Sequence, residues 1–143
     1  VDLEKVYQLT ILEYANRKDL KREISDATDM ERGHNPSCGD DITILVKVED
    51  NIVKDISYIG LGCAISQAST AMLIELIQGK SVSESKEIID IFFKMIKDTS
   101  ITEEEKDRLN DASILEFTKD MPARIKCSTL SWHSTKVVLD KYN

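Results

Sequence analysis

Between Ile42 and Val48 every second residue is β-branched and apolar: Ile42, Ile44, Val46 and Val48. A period of two sends alternate side chains to opposite faces, so the run reads as a strand with one face in a core. Glu49-Asp50-Asn51 supplies a turn, and Ile52 to Ile59 reads as the return strand, with Ile52, Ile56 and Tyr58 on one side. This hairpin is the strongest local feature of the chain.

On either side the periodicity is helical. Leu3, Tyr7, Ile11 and Tyr14 recur at three- and four-residue steps, which predicts a helix over Asp2 to Arg17. A short strand is expected near Ile24 to Asp29, in a charged stretch, with a loop that ends at Asp41. After the hairpin, Gly60 and Gly62 are expected to break the strand, and Cys63 opens an apolar helix. Ile65, Ala68, Met72 and Leu76 form its buried stripe, and Gly79 ends it. Ser81 and Glu84 have the spacing of a capping box, so a third helix begins there, with Val82, Ile89, Phe92, Phe93 and Ile96 toward the core. Lys97 to Asp120 is polar and acidic. Thr102 and Glu105 form another capping box, so a short surface helix over the core is expected. Pro122, at a favoured first-turn position, begins a final helix through Cys127 and Trp132 toward Leu139. No repeat or linker divides residues 1–143, and the length suits one domain.

Bulk composition excludes several roles. With 41% hydrophobic and 31% charged residues the chain is globular rather than disordered. A net charge of −7 argues against a nucleic-acid partner. No stretch approaches the roughly 20 apolar residues of a membrane helix, so no membrane role is expected. The opening VDLEKVYQLT lacks a signal pattern. The three cysteines are an odd number, which disfavours a disulfide framework and points to the cytoplasm.

Those cysteines are the candidate chemistry. Cys38 precedes Gly39 and Asp40, and a bend at Gly39 can bring the sulfur and a carboxylate oxygen toward one point. Thiolate and carboxylate are both zinc ligands, although such a turn is also an ordinary turn. Cys63 lies at a helix start, where amides and the helix dipole favour thiolate; buried beside Ala64, it is equally a small core residue. Cys127 follows Arg124 and Lys126, whose charge is expected to lower its pKa, unless both are merely solvated. No Cys-x-x-Cys pair is present, so any site must be gathered across the fold. His34 and His133 read as surface or structural residues.

Four stretches then resemble, in order, the motifs of the U-type iron–sulfur assembly proteins, the NifU-like family that includes IscU and SufU. They are ILEYANR near the start, NPSCGD around Cys38, GLGCAISQAS around Cys63 and MPARIKCSTLSWH around Cys127. The resemblance implies an α+β fold, a small antiparallel sheet packed against several helices. It implies zinc held by Cys38, Asp40, Cys63 and Cys127. It also implies a sulfurtransferase role, with Cys38 accepting persulfide sulfur from a SufS-type pyridoxal-phosphate cysteine desulfurase for downstream cluster-assembly proteins. Arg124 matches the family's arginine and is a candidate for partner docking or for steadying thiolate charge. The segment of about 98–120 resembles a SufU-type insertion. Lys126 stands where IscU-type scaffolds carry histidine, and an ammonium has no lone pair for a metal. The alternative is a scaffold that builds a [2Fe–2S] cluster on the same thiolates and Asp40. A purely structural zinc module is a third reading.

Overall fold

A computed structural model describes residues 3–97 and 100–142, with the side chain of Leu3 not described. Asp2, in the expected first helix, and residues 98–99, at the start of the expected insertion, lie outside the described residues. The sheet has three antiparallel strands in the order β1-β2-β3: β1 (Asp29–Asn35), β2 (Asp40–Glu49) and β3 (Ile52–Leu61). Helices α1 (Leu3–Ala15), α2 (Ala64–Ile77), α3 (Val82–Ile96), α4 (Glu103–Arg108) and α5 (Pro122–Leu139) complete the α+β fold, with 3-10 segments at Lys18–Leu20 and Asn110–Asp120.

The hairpin forms as its alternation requires. Ile42, Ile44, Val46 and Val48 are buried, and Glu49 pairs with Ile52 across Asp50 and Asn51, both at positive φ. Asn and Asp tolerate that left-handed conformation, which matches the strand twist. Gly60 does not break the strand: it pairs with Ile42 inside β3, at φ +107. A Cβ there would sit 2.1 Å from the Asp41 carbonyl oxygen, so only glycine lets the two strands close.

The early strand lies later than expected. Residues 24–28 form turns and bends, and β1 begins at Asp29. It pairs with β2 from Asp29↔Val46 to Asn35↔Asp40, so Pro36 to Gly39 are the loop of a second hairpin. The stretch His34 to Asp41 is therefore two strand ends and a tight turn rather than one opening loop.

α2 packs against β3, α1 and α5, and buries almost its whole circumference, including Ser66, Ser69 and Thr70. Its start and stop follow the expected signals, with Cys63 as N-cap and Gly79 at φ +84 beyond the end. α3 begins where the Ser81 hydroxyl accepts the Glu84 N–H. Trp132 of α5 stacks on Phe92 at 3.7 Å and donates its indole N–H to Ser69 Oγ, which joins α2, α3 and α5. Of the expected α1 stripe, Ile11 and Tyr14 are buried but Tyr7 is 37% exposed.

The polar segment before α5 is more than a surface cover. α4 carries the full capping box between Thr102 and Glu105. Beyond it, Leu109, Ala112, Leu115 and Thr118 are buried at steps of three, the period of the 3-10 helix that Asn110–Asp120 adopts. No described helix is long and apolar enough to cross a membrane.

Candidate metal centre

The β1–β2 turn, the start of α2 and the first turns of α5 meet at one point. Gly39, at φ +71, reverses the chain between Cys38 and Asp40. Asp40 then begins β2 with its side chain inward and 0% exposed. Cys127 lies on the buried side of α5, 1% exposed, and its thiol donates to Cys38 Sγ across 3.2 Å. Ligand-capable atoms of Cys38, Asp40 and Cys127 all lie within 4.8 Å of one another. The Ala123 carbonyl accepts from the Cys38 thiol at 3.9 Å and, 3.5 Å from Cys127 Sγ, is the alternative acceptor for the Cys127 proton.

Cys63 stands beside this cluster. Its N–H donates to Asp40 Oδ1 at 2.9 Å, and its sulfur accepts the Ser66 N–H at 3.4 Å. The Ser66 hydroxyl, 3.0 Å from the same Oδ1, is the second donor to it. Asp40 Oδ2 is buried and has no hydrogen-bond partner. An orphaned buried carboxylate oxygen is costly unless a cation or donor reaches it.

The electrostatics agree. Burial pushes the Cys127 thiol far above the ordinary value. Its bond to Cys38 adds to this, as do Cys63 and the charge of Asp40. The leading causes all raise it, and neither Arg124 nor Lys126 is among them, which corrects the expectation that these two lower this pKa. Both are exposed on α5, while Cys127 faces inward. The neighbouring thiols and carboxylate thus disfavour the Cys127 thiolate, and a bound cation reverses that logic. The donor set of soft sulfur and one oxygen fits zinc, and also fits iron.

Arg124 lines an apolar hollow beside the site, with Tyr7, Ile65, Phe117 and Met121. Its side chain makes no hydrogen bond to a thiol and no ion pair among the described residues. His34 and His133 are exposed and not part of the cluster; both line a hollow with Lys126, and His133 lies against Phe93. Two contributors carry no site role in the sequence reading: Ser66, and Gly62, which reads there only as a strand breaker. A Cβ on Gly62 would lie 2.3 Å from Ser66 Oγ and 2.9 Å from Asp40 Oδ1. The readable signal was Cys63-x-x-Ser66, the spacing of a helix N-cap and its N3 residue.

Comparison with known proteins bears on this arrangement. The family model described as "NifU-like N terminal domain" matches residues 7–143. The chain is 40% identical to an iron–sulfur cluster assembly scaffold protein IscU of Thermotoga maritima over 95% of its length and 94% of the relative's. It is 33% identical to the zinc-dependent sulfurtransferase SufU of Bacillus subtilis, over 92% of this chain and 87% of that one. Its fold superposes with a TM-score of 0.84 on a crystal structure from Fervidobacterium islandicum, described as a candidate scaffold for the SUF system. That protein is 31% identical, with 95% and 98% of the two chains covered.

Proposed function

Because the chain belongs to the NifU-like N-terminal domain family, the IscU/SufU group of iron–sulfur cluster assembly proteins, we propose that it is a zinc-dependent sulfurtransferase. Cys38 accepts persulfide sulfur from a pyridoxal-phosphate cysteine desulfurase of the SufS type. The observation that carries the metal is the unpartnered Asp40 Oδ2 beside two thiols 3.2 Å apart. Cys38, Asp40, Cys63 and Cys127 are the proposed ligands. Zinc, when bound, supplies the charge that keeps the thiols deprotonated.

The chain's own residues supply the rest. Cys38 is the ligand on a turn, half-buried, while Asp40 and Cys127 are fixed in a strand and a helix. It is therefore the sulfur that can swing out. As a thiolate it attacks the outer sulfur of the partner's persulfide. A bond forms between Cys38 Sγ and that sulfur, the partner's S–S bond breaks, and the partner's cysteine leaves as thiolate. Arg124 and the apolar hollow beside it are the proposed docking surface. Incubation with desulfurase and cysteine, followed by mass spectrometry, is expected to show a persulfide on Cys38 of the wild type and none on Cys38→Ala. Full acceptance by that variant overturns the assignment.

A second reading is a scaffold that assembles a [2Fe–2S] cluster on the same thiolates. The Thermotoga relative and the Fervidobacterium structure favour it by their descriptions. Lys126, in the position of the scaffold histidine, favours the first.

A further inference from the structure

We propose that Ser66 is the positioning residue of the metal centre, the one side chain that turns Asp40 into a single-oxygen ligand. The inference rests on the reading that the thiols and Asp40 bind a metal.

A carboxylate can offer a metal both oxygens or one. Here Oδ1 is engaged by two donors, the Cys63 N–H at 2.9 Å and the Ser66 hydroxyl at 3.0 Å. Oδ2 alone remains, buried and without a partner. Ser66 is 1% exposed, so water does not compete for its hydroxyl. Two acceptors lie 3.0 Å from that hydroxyl, Asp40 Oδ1 and the Cys63 carbonyl. The ionised carboxylate is the stronger of the two. The main chain of Ser66 meanwhile donates to Cys63 Sγ at 3.4 Å. One residue in the first turn of α2 thus reaches two ligands: its N–H holds a sulfur, and its hydroxyl aims a carboxylate.

The surroundings are shaped to keep that hydroxyl in place. Gly62 leaves the space that Ser66 Oγ and Asp40 Oδ1 occupy. Ser66 Oγ is also 3.6 Å from Cys63 Sγ, near enough to accept from the protonated thiol. The metal-free site therefore has a partner for Cys63 that does not involve moving Asp40.

Substituting Ser66 by Ala leaves the main-chain donor to Cys63 Sγ intact and removes the hydroxyl's bond to Asp40, together with its contacts to the Cys63 carbonyl and thiol. A residue that orients a metal ligand from behind typically changes affinity by about 10–100-fold. Competition for zinc against a chromophoric chelator is the test, run on Ser66→Ala, Asp40→Ala and the double variant. Thermal unfolding of the metal-free proteins controls for folding. Ser66→Ala is expected to weaken zinc binding by about 10-fold or more. In the Asp40→Ala background the same change is expected to add less than about 2-fold, because its target is gone. Wild-type affinity in Ser66→Ala, or effects that simply multiply, overturns the proposal. If Ser66→Ala does not fold, the near-isosteric pair Ser66→Thr and Ser66→Val decides. Thr is expected to bind zinc more tightly than Val, and equal affinities overturn the role of the hydroxyl. Failure of the wild type itself to bind zinc sinks instead the metal reading on which this rests.

Discussion

Cys38 and Asp40 are two residues apart, yet the fold holds them in opposite ways. Asp40 is in a strand, wholly buried, with one oxygen bound by two donors from the start of α2. Cys38 is on the turn, half-buried, and its backbone tie is one N–H to the Asn35 carbonyl at 3.2 Å. The glycines repeat the contrast. Behind Asp40, Gly62 leaves no room for a Cβ; beside Cys38, Gly39 would present one to open space. A centre built with one fixed wall and one hinged corner is suited to holding a metal while releasing a chosen sulfur.

Breaking the hinged corner is expected to have the largest effect on activity. Cys38→Ala should abolish persulfide acceptance, while its melting temperature in the metal-free state stays close to the wild type, since the side chain makes only weak thiol contacts, to Cys127 Sγ and the Ala123 carbonyl. Circular dichroism and sulfur transfer, measured on one preparation, separate the two. A melting temperature well below the wild type would show that the turn is structural.

Breaking the fixed wall should act on metal first. Asp40→Ala removes a proposed ligand, leaves the Cys63 N–H without its acceptor and leaves the Ser66 hydroxyl only the Cys63 carbonyl. Each buried donor left unpaired costs about 1–3 kcal/mol. Chelator competition should show zinc weakened by at least about 100-fold, at the strong end of what neighbours of a ligand cause, and the metal-free protein should also melt lower. Unchanged affinity would remove Asp40 from the ligand set.

The two glycines sharpen the comparison at smaller scale. Gly62→Ala drives a methyl against Ser66 Oγ and Asp40 Oδ1, and should loosen zinc by about 10-fold. Gly39→Ala meets no atom within 4 Å and carries only the strain of φ +71. That strain is worth about 1–2 kcal/mol of stability. Zinc affinity in Gly39→Ala should stay within a few-fold of wild type. A reversed order would mean that the turn, not the strand, is the fixed element.

How much of this could be read in the sequence depended on where the physical signal lay. The β2–β3 hairpin was legible because Ile42, Ile44, Val46 and Val48 write its period directly. β1 was not, because Asp29-Met-Glu-Arg-Gly-His-Asn has little strand propensity and buries only Gly33 and Asn35. Pairing with β2 makes it a strand, and pairing partners are not local information. The 3-10 run was hidden in the same way: its buried row, Leu109, Ala112, Leu115 and Thr118, has a period of three amid charges. Motif resemblance points to Cys38, Asp40, Cys63 and Cys127, and the fold brings Cys38, Asp40 and Cys127 within one tight cluster. Cys63 joins through its backbone bond to Asp40 rather than inside the tight cluster. The direction of the Cys127 shift is not legible because its sequence neighbours Arg124 and Lys126 are solvent-exposed while the thiol is buried, and burial is not local information. Ser66 is not legible as a site residue because a serine in an apolar helix gains that role only from the carboxylate the fold sets against its hydroxyl.

The most direct measurement is the metal and acid-labile sulfide content of protein purified without oxygen, together with its visible spectrum. A zinc-dependent sulfurtransferase should be colourless, with one zinc per chain on a four-ligand site and no sulfide. A brown protein carrying iron and sulfide would contradict that account and make the cluster scaffold the function of this centre.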